Sequence, residues 1–293
     1  MGRWPFKNEA RSTTVIQQGP WCVRMLLLLK LTLAPLLVAL ATLVTRRWGP
    51  RVGGVVVGLP LSTGPIFLFL AIDRGLDFAE TACVGILFGL VGLAGFALVY
   101  AGVSRRAGWA VSLALSAIAY FIVSAAVSGY VVSGVVPAGV AAYVALLLAA
   151  SRIRRPESEA IRSVSPWWDI WFRMLATAGL TLAITAAAER LGPVFSGIVG
   201  TYPVVTTVVV TFTHHRFGRE AALAMLRGSV LSWIAFVSSF FAIGLAINPY
   251  GLAASLGLGA LAAVGTTILV LWVATLEASR TKNAHTLAAS KRP

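Results

Sequence analysis

From residue 25 to about residue 275 the chain is a series of apolar stretches, each roughly as long as a bilayer is thick, and this limits its fold more than any other feature. A hydrocarbon core of about 30 Å needs roughly 20 apolar residues per helix. Nine stretches qualify: 25–44, 52–72, 80–103, 108–127, 132–150, 170–188, 193–213, 221–246 and 251–275. A segment in lipid must satisfy its own backbone polar groups, and runs of this length without alternation do so as helices. The expected fold is all-α, a polytopic membrane protein of about nine transmembrane helices. Punctuation separates the spans at Arg46-Arg47-Trp48-Gly49-Pro50, Asp73-Arg74-Gly75, Ser104-Arg105-Arg106, 151–166, His214-His215-Arg216 and Asn248-Pro249-Tyr250-Gly251. Between the fourth and fifth spans there is only the Gly-containing 128–134.

Composition agrees. With 58% hydrophobic and 12% charged residues, 293 residues cannot cover a water-soluble globule with polar surface. The net charge of +14 lies in short gaps between apolar runs, not on one soluble face, which excludes nucleic acid as a partner and points to membrane topology. The two cysteines, Cys22 and Cys83, make neither a disulfide framework nor a metal-ligand spacing. Residues 1–24 form a polar leader without the apolar core or cleavage site of a secretory signal. Met25, which opens the first span, is a candidate translation start.

Sliding the chain against itself by 143 positions aligns two halves without a gap. Arg47, Gly49, Pro50, Gly54, Val56, Pro60, Thr63 and Gly75 fall on Arg190, Gly192, Pro193, Gly197, Val199, Pro203, Thr206 and Gly218. Gly85, Gly108 and Ser112 fall on Gly228, Gly251 and Ser255. Matches at Gly, Pro and Arg on one unbroken offset are not what shared Leu/Ala/Val composition produces. The fifth span has no mate, so each half holds four helices and one helix joins them. Five crossings separate equivalent points, and an odd number turns the second half over. The expected organisation is 25–130 as the first repeat, 131–166 as the linking helix and a basic cytoplasmic loop, 167–276 as the second repeat, and 277–293 as a polar cytoplasmic tail without fixed structure.

Charge provides an independent check, because Lys and Arg favour cytoplasmic loops. If the first span begins outside, the cytoplasmic segments hold fifteen Lys and Arg and the outer loops hold two, Arg74 and Arg190, the leader aside. Matched loops also exchange character. Arg46 and Arg51 become Glu189 and Val194, Arg105 and Arg106 become Asn248 and Pro249, and Asp73 and Leu76 become Arg216 and Arg219.

The segment Ser196-Gly-Ile-Val-Gly-Thr-Tyr-Pro-Val-Val-Thr-Thr, the following His214-His-Arg-Phe-Gly-Arg-Glu and the aliphatic and aromatic run to Trp272 resemble the GlpM family of small four-helix bacterial inner-membrane proteins. The first half repeats the Gly-x5-Pro element as Gly54 to Pro60. The chain thus resembles two GlpM-like units fused through an extra helix. The resemblance implies a bacterial inner-membrane location and brings no reaction or ligand with it.

Inverted-repeat transporters bind solute near the midplane, where helices broken at equivalent positions expose backbone groups. The second span is interrupted by Gly58-Leu-Pro-Leu-Ser-Thr-Gly-Pro65 and the seventh by Gly200-Thr-Tyr-Pro-Val-Val-Thr-Thr207. Proline removes a donor and leaves carbonyls in need of partners. Pro60, Ser62, Thr63, Thr201, Tyr202, Pro203, Thr206 and Thr207 are the candidate solute-binding residues. The plainer alternative is a pair of proline kinks whose hydroxyls bond back to the backbone. Lys30, Arg173 and Arg227 are the ionisable residues inside spans. Lys30 and Arg173 are repeat mates and suit an anion, with snorkelling to the headgroups as the competing expectation. All ten acids, Asp169 included, fall in the leader, loops, tail or span ends. That disfavours proton exchange on a buried carboxylate and metal-dependent lipid chemistry. His214-His215 reads as a pair of interfacial loop histidines, with no third metal ligand evident. No GxSxG elbow, P-loop or dinucleotide fingerprint occurs. The expectation is a non-enzymatic protein without cofactor or metal, whose partners are membrane lipids and a small solute. Its expected role is secondary transport or permeation, with a membrane scaffold or accessory protein of envelope or lipid metabolism as the alternative.

Overall fold

The computed structural model describes residues 20–58, 63–128, 134–153, 167–190 and 202–290. Every regular element among them is a helix: α1 (Pro20–Trp48), α2 (Pro50–Gly58), α3 (Thr63–Arg74), α4 (Leu76–Val103), α5 (Trp109–Ser128), α6 (Val135–Arg152), α7 (Trp168–Arg190) and α8 (Val204–Ser290). Five of them, α1, α4, α5, α6 and α8, are long and apolar enough to cross a membrane. The protein is an all-helical membrane protein.

The apolar part of α8 spans 67 residues, about 100 Å at the helical rise and some three times a bilayer core. It is not one rod. Non-helical backbone at Gly218 (φ 81°) and Gly251 (φ 76°) divides α8 into segments 204–217, 219–250 and 252–290. The segments double back: Thr213 on the first donates to Met225 Sδ on the second, and Thr266 on the third donates to Ser238 on the second at 2.7 Å. Gly75, between α3 and α4, has the same conformation at φ 87°. A side chain is strained there, so glycine marks the junction. Gly75 and Gly218 are 143 residues apart.

From polarity alone the seventh span ends at His214-His215-Arg216. The structure keeps these residues helical and breaks the chain at Gly218. Polar side chains do not stop a helix, whereas positive φ does. The final segment likewise stays helical to Ser290, where a tail without fixed structure was expected. Residues 277–290 contain neither Pro nor Gly and are rich in good helix formers.

The core is built around α4 and the second segment of α8, which pack on each other and are flanked by α6. Leu87, Phe96, Tyr100, Leu146, Met225, Leu226, Phe240 and Ile247 are fully enclosed. α5 covers α4 and shows Val111, Leu115, Ile118 and Ile122 outward, as a helix facing lipid does. α1 packs along α7 at the other side, and α2 lies between α1 and α8.

Candidate functional site

α7 opens with Trp168 and Asp169, an acid in the first turn where the helix dipole favours it. Arg173 is four residues on and therefore on the same face. Its Nε donates to Asp169 Oδ2 at 2.8 Å. The other carboxylate oxygen lies 3.2 Å from Arg216 Nε on the first segment of α8. Arg173 also donates to the Val209 carbonyl at 3.4 Å and lies over the Phe212 ring at 5.2 Å, while Arg216 lies over Trp168 at 4.6 Å. Asp169 and Arg173 are buried at 1% and 2% exposure. One sealed carboxylate thus holds two guanidinium groups from two helices, and aromatic faces take up part of the arginines' charge.

Beside this cluster is an open cleft of about 430 Å³ lined by Trp168, Asp169, Phe172, Phe212, His215 and Arg216. A second cleft, of similar volume, is formed at the end of α1 by Leu43, Arg46, Arg47 and Trp48. Arg46 is near enough to Arg173 for their charges to repel. The meeting point of α1, α7 and α8 is therefore a cationic, aromatic-lined surface with one buried anion beneath it.

The Arg173 guanidinium is turned inward and spends its charge on Asp169 and a helix carbonyl. Asp169 is more deeply placed than its position in the sequence suggests. It was placed at a span end, yet it is among the most buried polar groups described. The sign available in the sequence was the Asp-x3-Arg spacing directly after Trp167-Trp168. Arg227 also has a structural partner set: it donates to the carbonyls of Ala150 (2.8 Å) and Ile153 at the end of α6, where helix carbonyls lack intrahelical donors.

Pro60, Ser62 and Thr201 lie outside the described residues, as does the side chain of Lys30. Thr63 opens α3 and is half-buried. Pro203 directly precedes α8, its carbonyl accepting from Thr207 N–H at 2.8 Å. Tyr202 stacks on Phe121 at 5.5 Å and meets Tyr120 and Phe96 edge-on. Thr207 Oγ1 donates to the Tyr202 hydroxyl at 3.1 Å. Thr206 and Thr207 are buried three and two residues before Val209, whose carbonyl Arg173 takes. Arg173 and the α8 break thus share one short stretch of α8, with Arg173 approaching from the α7 side and Tyr202 facing α4 and α5. His214 Nδ1 lies 3.0 Å from the Tyr100 hydroxyl, and His215 meets Trp109 edge-on. Both are helix residues in aromatic company. Among the described residues no three His, Cys, Asp or Glu side chains come together as a metal site. Comparison of the chain with protein-family models, with curated proteins and with solved structures finds no match.

Proposed function

We propose that the chain is a nine-span protein of the bacterial inner membrane, built of two inverted GlpM-like four-helix units joined by α6, and that it works as a secondary transporter or permease for a small solute. One observation carries the reading. α3, with 12 residues, and the first segment of α8, with 14, are each too short to cross a bilayer core, and each ends at a left-handed glycine, Gly75 or Gly218. Each follows a Gly/Pro-rich break, α2 stopping at Gly58 and α8 beginning after Pro203. These half-span helices stand 143 residues apart, at repeat-equivalent positions. Their mates elsewhere pair as well: α1 packs on α7, and α4 on the second segment of α8. Paired broken helices at equivalent positions are the arrangement in which transporters hold solutes. Pro60, Ser62, Thr63, Thr201, Tyr202, Pro203, Thr206 and Thr207 line the proposed site, with Lys30 and Arg173 toward its two mouths.

The scaffold reading has one observation in its favour: Tyr202 is closed in by three aromatic rings and its hydroxyl already has a partner. Proteoliposome swelling in isosmotic organic-acid salts and in neutral polyols separates the two. Transport predicts entry of at least one solute class, slowed about tenfold or more in the Pro60→Ala, Pro203→Ala double variant, the size of effect one lost kcal-scale site interaction produces. Entry unchanged in the double variant removes the site, and no entry in any medium favours the scaffold. Topology is checked separately with an impermeant maleimide on single cysteines at Trp48 and Leu191, with Cys22 and Cys83 replaced. Labelling of both from the same side removes the inverted repeat.

A further inference from the structure

We propose that the surface where α1, α7 and the first segment of α8 meet binds the headgroup of an anionic phospholipid. It rests on the membrane-embedded fold and stands apart from the transport reading. The charge balance points there first. Asp169 is sealed between Arg173 and Arg216, and of these three groups only Arg216 shows a substantial part of its side chain, 26%, to the cleft. The charge the cleft presents is therefore positive, and Arg46 and Arg47 line the second cleft, at the end of the neighbouring helix α1. Clustered arginines between helices at a membrane surface attract anionic headgroups, and guanidinium groups match phosphate oxygens in pairs.

Shape then selects a lipid over a free anion. Each cleft has a volume of about 430 Å³, room for a glycerophosphate group. Two exposed apolar stripes run away from the arginines along α1 and α7. On α1 they are Leu43, Leu40 and Leu36, and on α7 Trp171, Phe172 and Leu175, all exposed. Each stripe follows helical spacing, and the two helices lie side by side. Trp168 and Trp48 sit where the stripes meet the charges, the position such amphipathic rings take at a membrane interface. A free phosphate would use only the arginines. A diacyl anionic lipid would use the arginines and both stripes.

Native mass spectrometry of the full-length protein in mild detergent tests this with phosphatidylglycerol and with phosphatidylcholine of the same acyl chains. Phosphatidylglycerol should be retained over phosphatidylcholine, and Arg216→Gln and Arg46→Gln should each weaken its retention about fivefold. Arg47→Gln, on an exposed side chain, repeats the test should either of those variants fail to fold. Arg219→Gln should leave retention unchanged, since Arg219 pairs with the exposed Glu220 outside both clefts. Equal retention of the two lipids would overturn the proposal. So would an equal loss on Arg219→Gln, which would mean a diffuse basic surface. Displacement of the lipid by millimolar inorganic phosphate or glycerol phosphate would overturn it in favour of a soluble anion.

Discussion

Where α2 crosses α8, two helix backbones are nearly in contact. A Cβ on Gly54 would lie 1.9 Å from the Met225 carbonyl oxygen, and one on Gly228 would lie 2.2 Å from that of Arg51. Ser229 Oγ donates to the Gly54 carbonyl at 3.1 Å. Where α1, α7 and α8 meet, the contact is instead a carboxylate with two arginines, rings and open clefts. In lipid no hydrophobic force draws one apolar helix to another, so close approach of small residues is the ordinary means of adhesion. The first region needs nothing else. A buried ion pair pays a desolvation penalty that packing of the same volume would avoid. The second region therefore holds something that adhesion does not require, and a bound anionic lipid gives it a use.

The largest expected effect breaks the charged region. Asp169→Asn leaves Arg173 and Arg216 without their anion, and losing one partner of a buried pair costs about 3 to 5 kcal/mol, the lower end applying here because Arg216 is partly exposed. Unfolding in mixed micelles of graded SDS content measures it. Replacing both buried partners, Asp169→Leu with Arg173→Met, should recover most of that loss. Stability recovered while phosphatidylglycerol retention falls below that of the unsubstituted protein would show the cluster serving binding; failure to recover would show the pair holding the helices together.

The next effect belongs to the glycine crossing. Gly54→Ala must push α2 away from α8, because the obstructing atom is a backbone oxygen that cannot turn aside. Overpacking of this kind costs about 1 to 3 kcal/mol. Lipid retention should be untouched, as Gly54 lines neither cleft. A loss below about 0.5 kcal/mol in the same unfolding measurement would mean the crossing is loose, and the contrast between the regions would fail.

The glycine crossing and the breaks were more readable in sequence than the charged cluster, for a physical reason. Gly and Pro act locally: Gly54 and Gly228 stand out among the matches at an offset of 143 residues, and the Gly58–Pro65 interruption lies where α2 ends and α3 begins. Gly218 is among those matches too, yet polarity alone puts the junction at the residues just before it. The φ of 81° that makes the turn belongs to the backbone and cannot be read from polarity. Asp169 was missed because its depth is set from outside α7, by α8 and α1 closing over the first turn of a helix whose own sequence looks interfacial. Tyr202, Thr206 and Thr207 were named from the broken helix, but the rings around Tyr202 come from α4 and α5, about 80 to 105 residues earlier in the chain. Spacing along one helix cannot show such neighbours.

A third means of adhesion, between neutral hydroxyls, sets the lower end of the scale. Tyr143 on α6 donates to Ser238 Oγ at 2.7 Å, Thr266 donates to the same oxygen at 2.7 Å, and Ser238 donates its own proton to the Ile234 carbonyl at 3.0 Å. Ser238 thus accepts two bonds and gives one, which fills the capacity of a hydroxyl. Tyr143→Phe removes one acceptance and strands nothing, because Thr266 still satisfies Ser238. Interhelical hydrogen bonds in membranes average about 0.6 kcal/mol, and that is the loss expected. Ser238→Ala deprives Tyr143 and Thr266 together and should cost more than Tyr143→Phe by the same unfolding measurement. If Tyr143→Phe instead cost as much as Asp169→Asn, neutral bonds would hold these helices as firmly as charges do, and the charged cluster would lose its claim to be set apart.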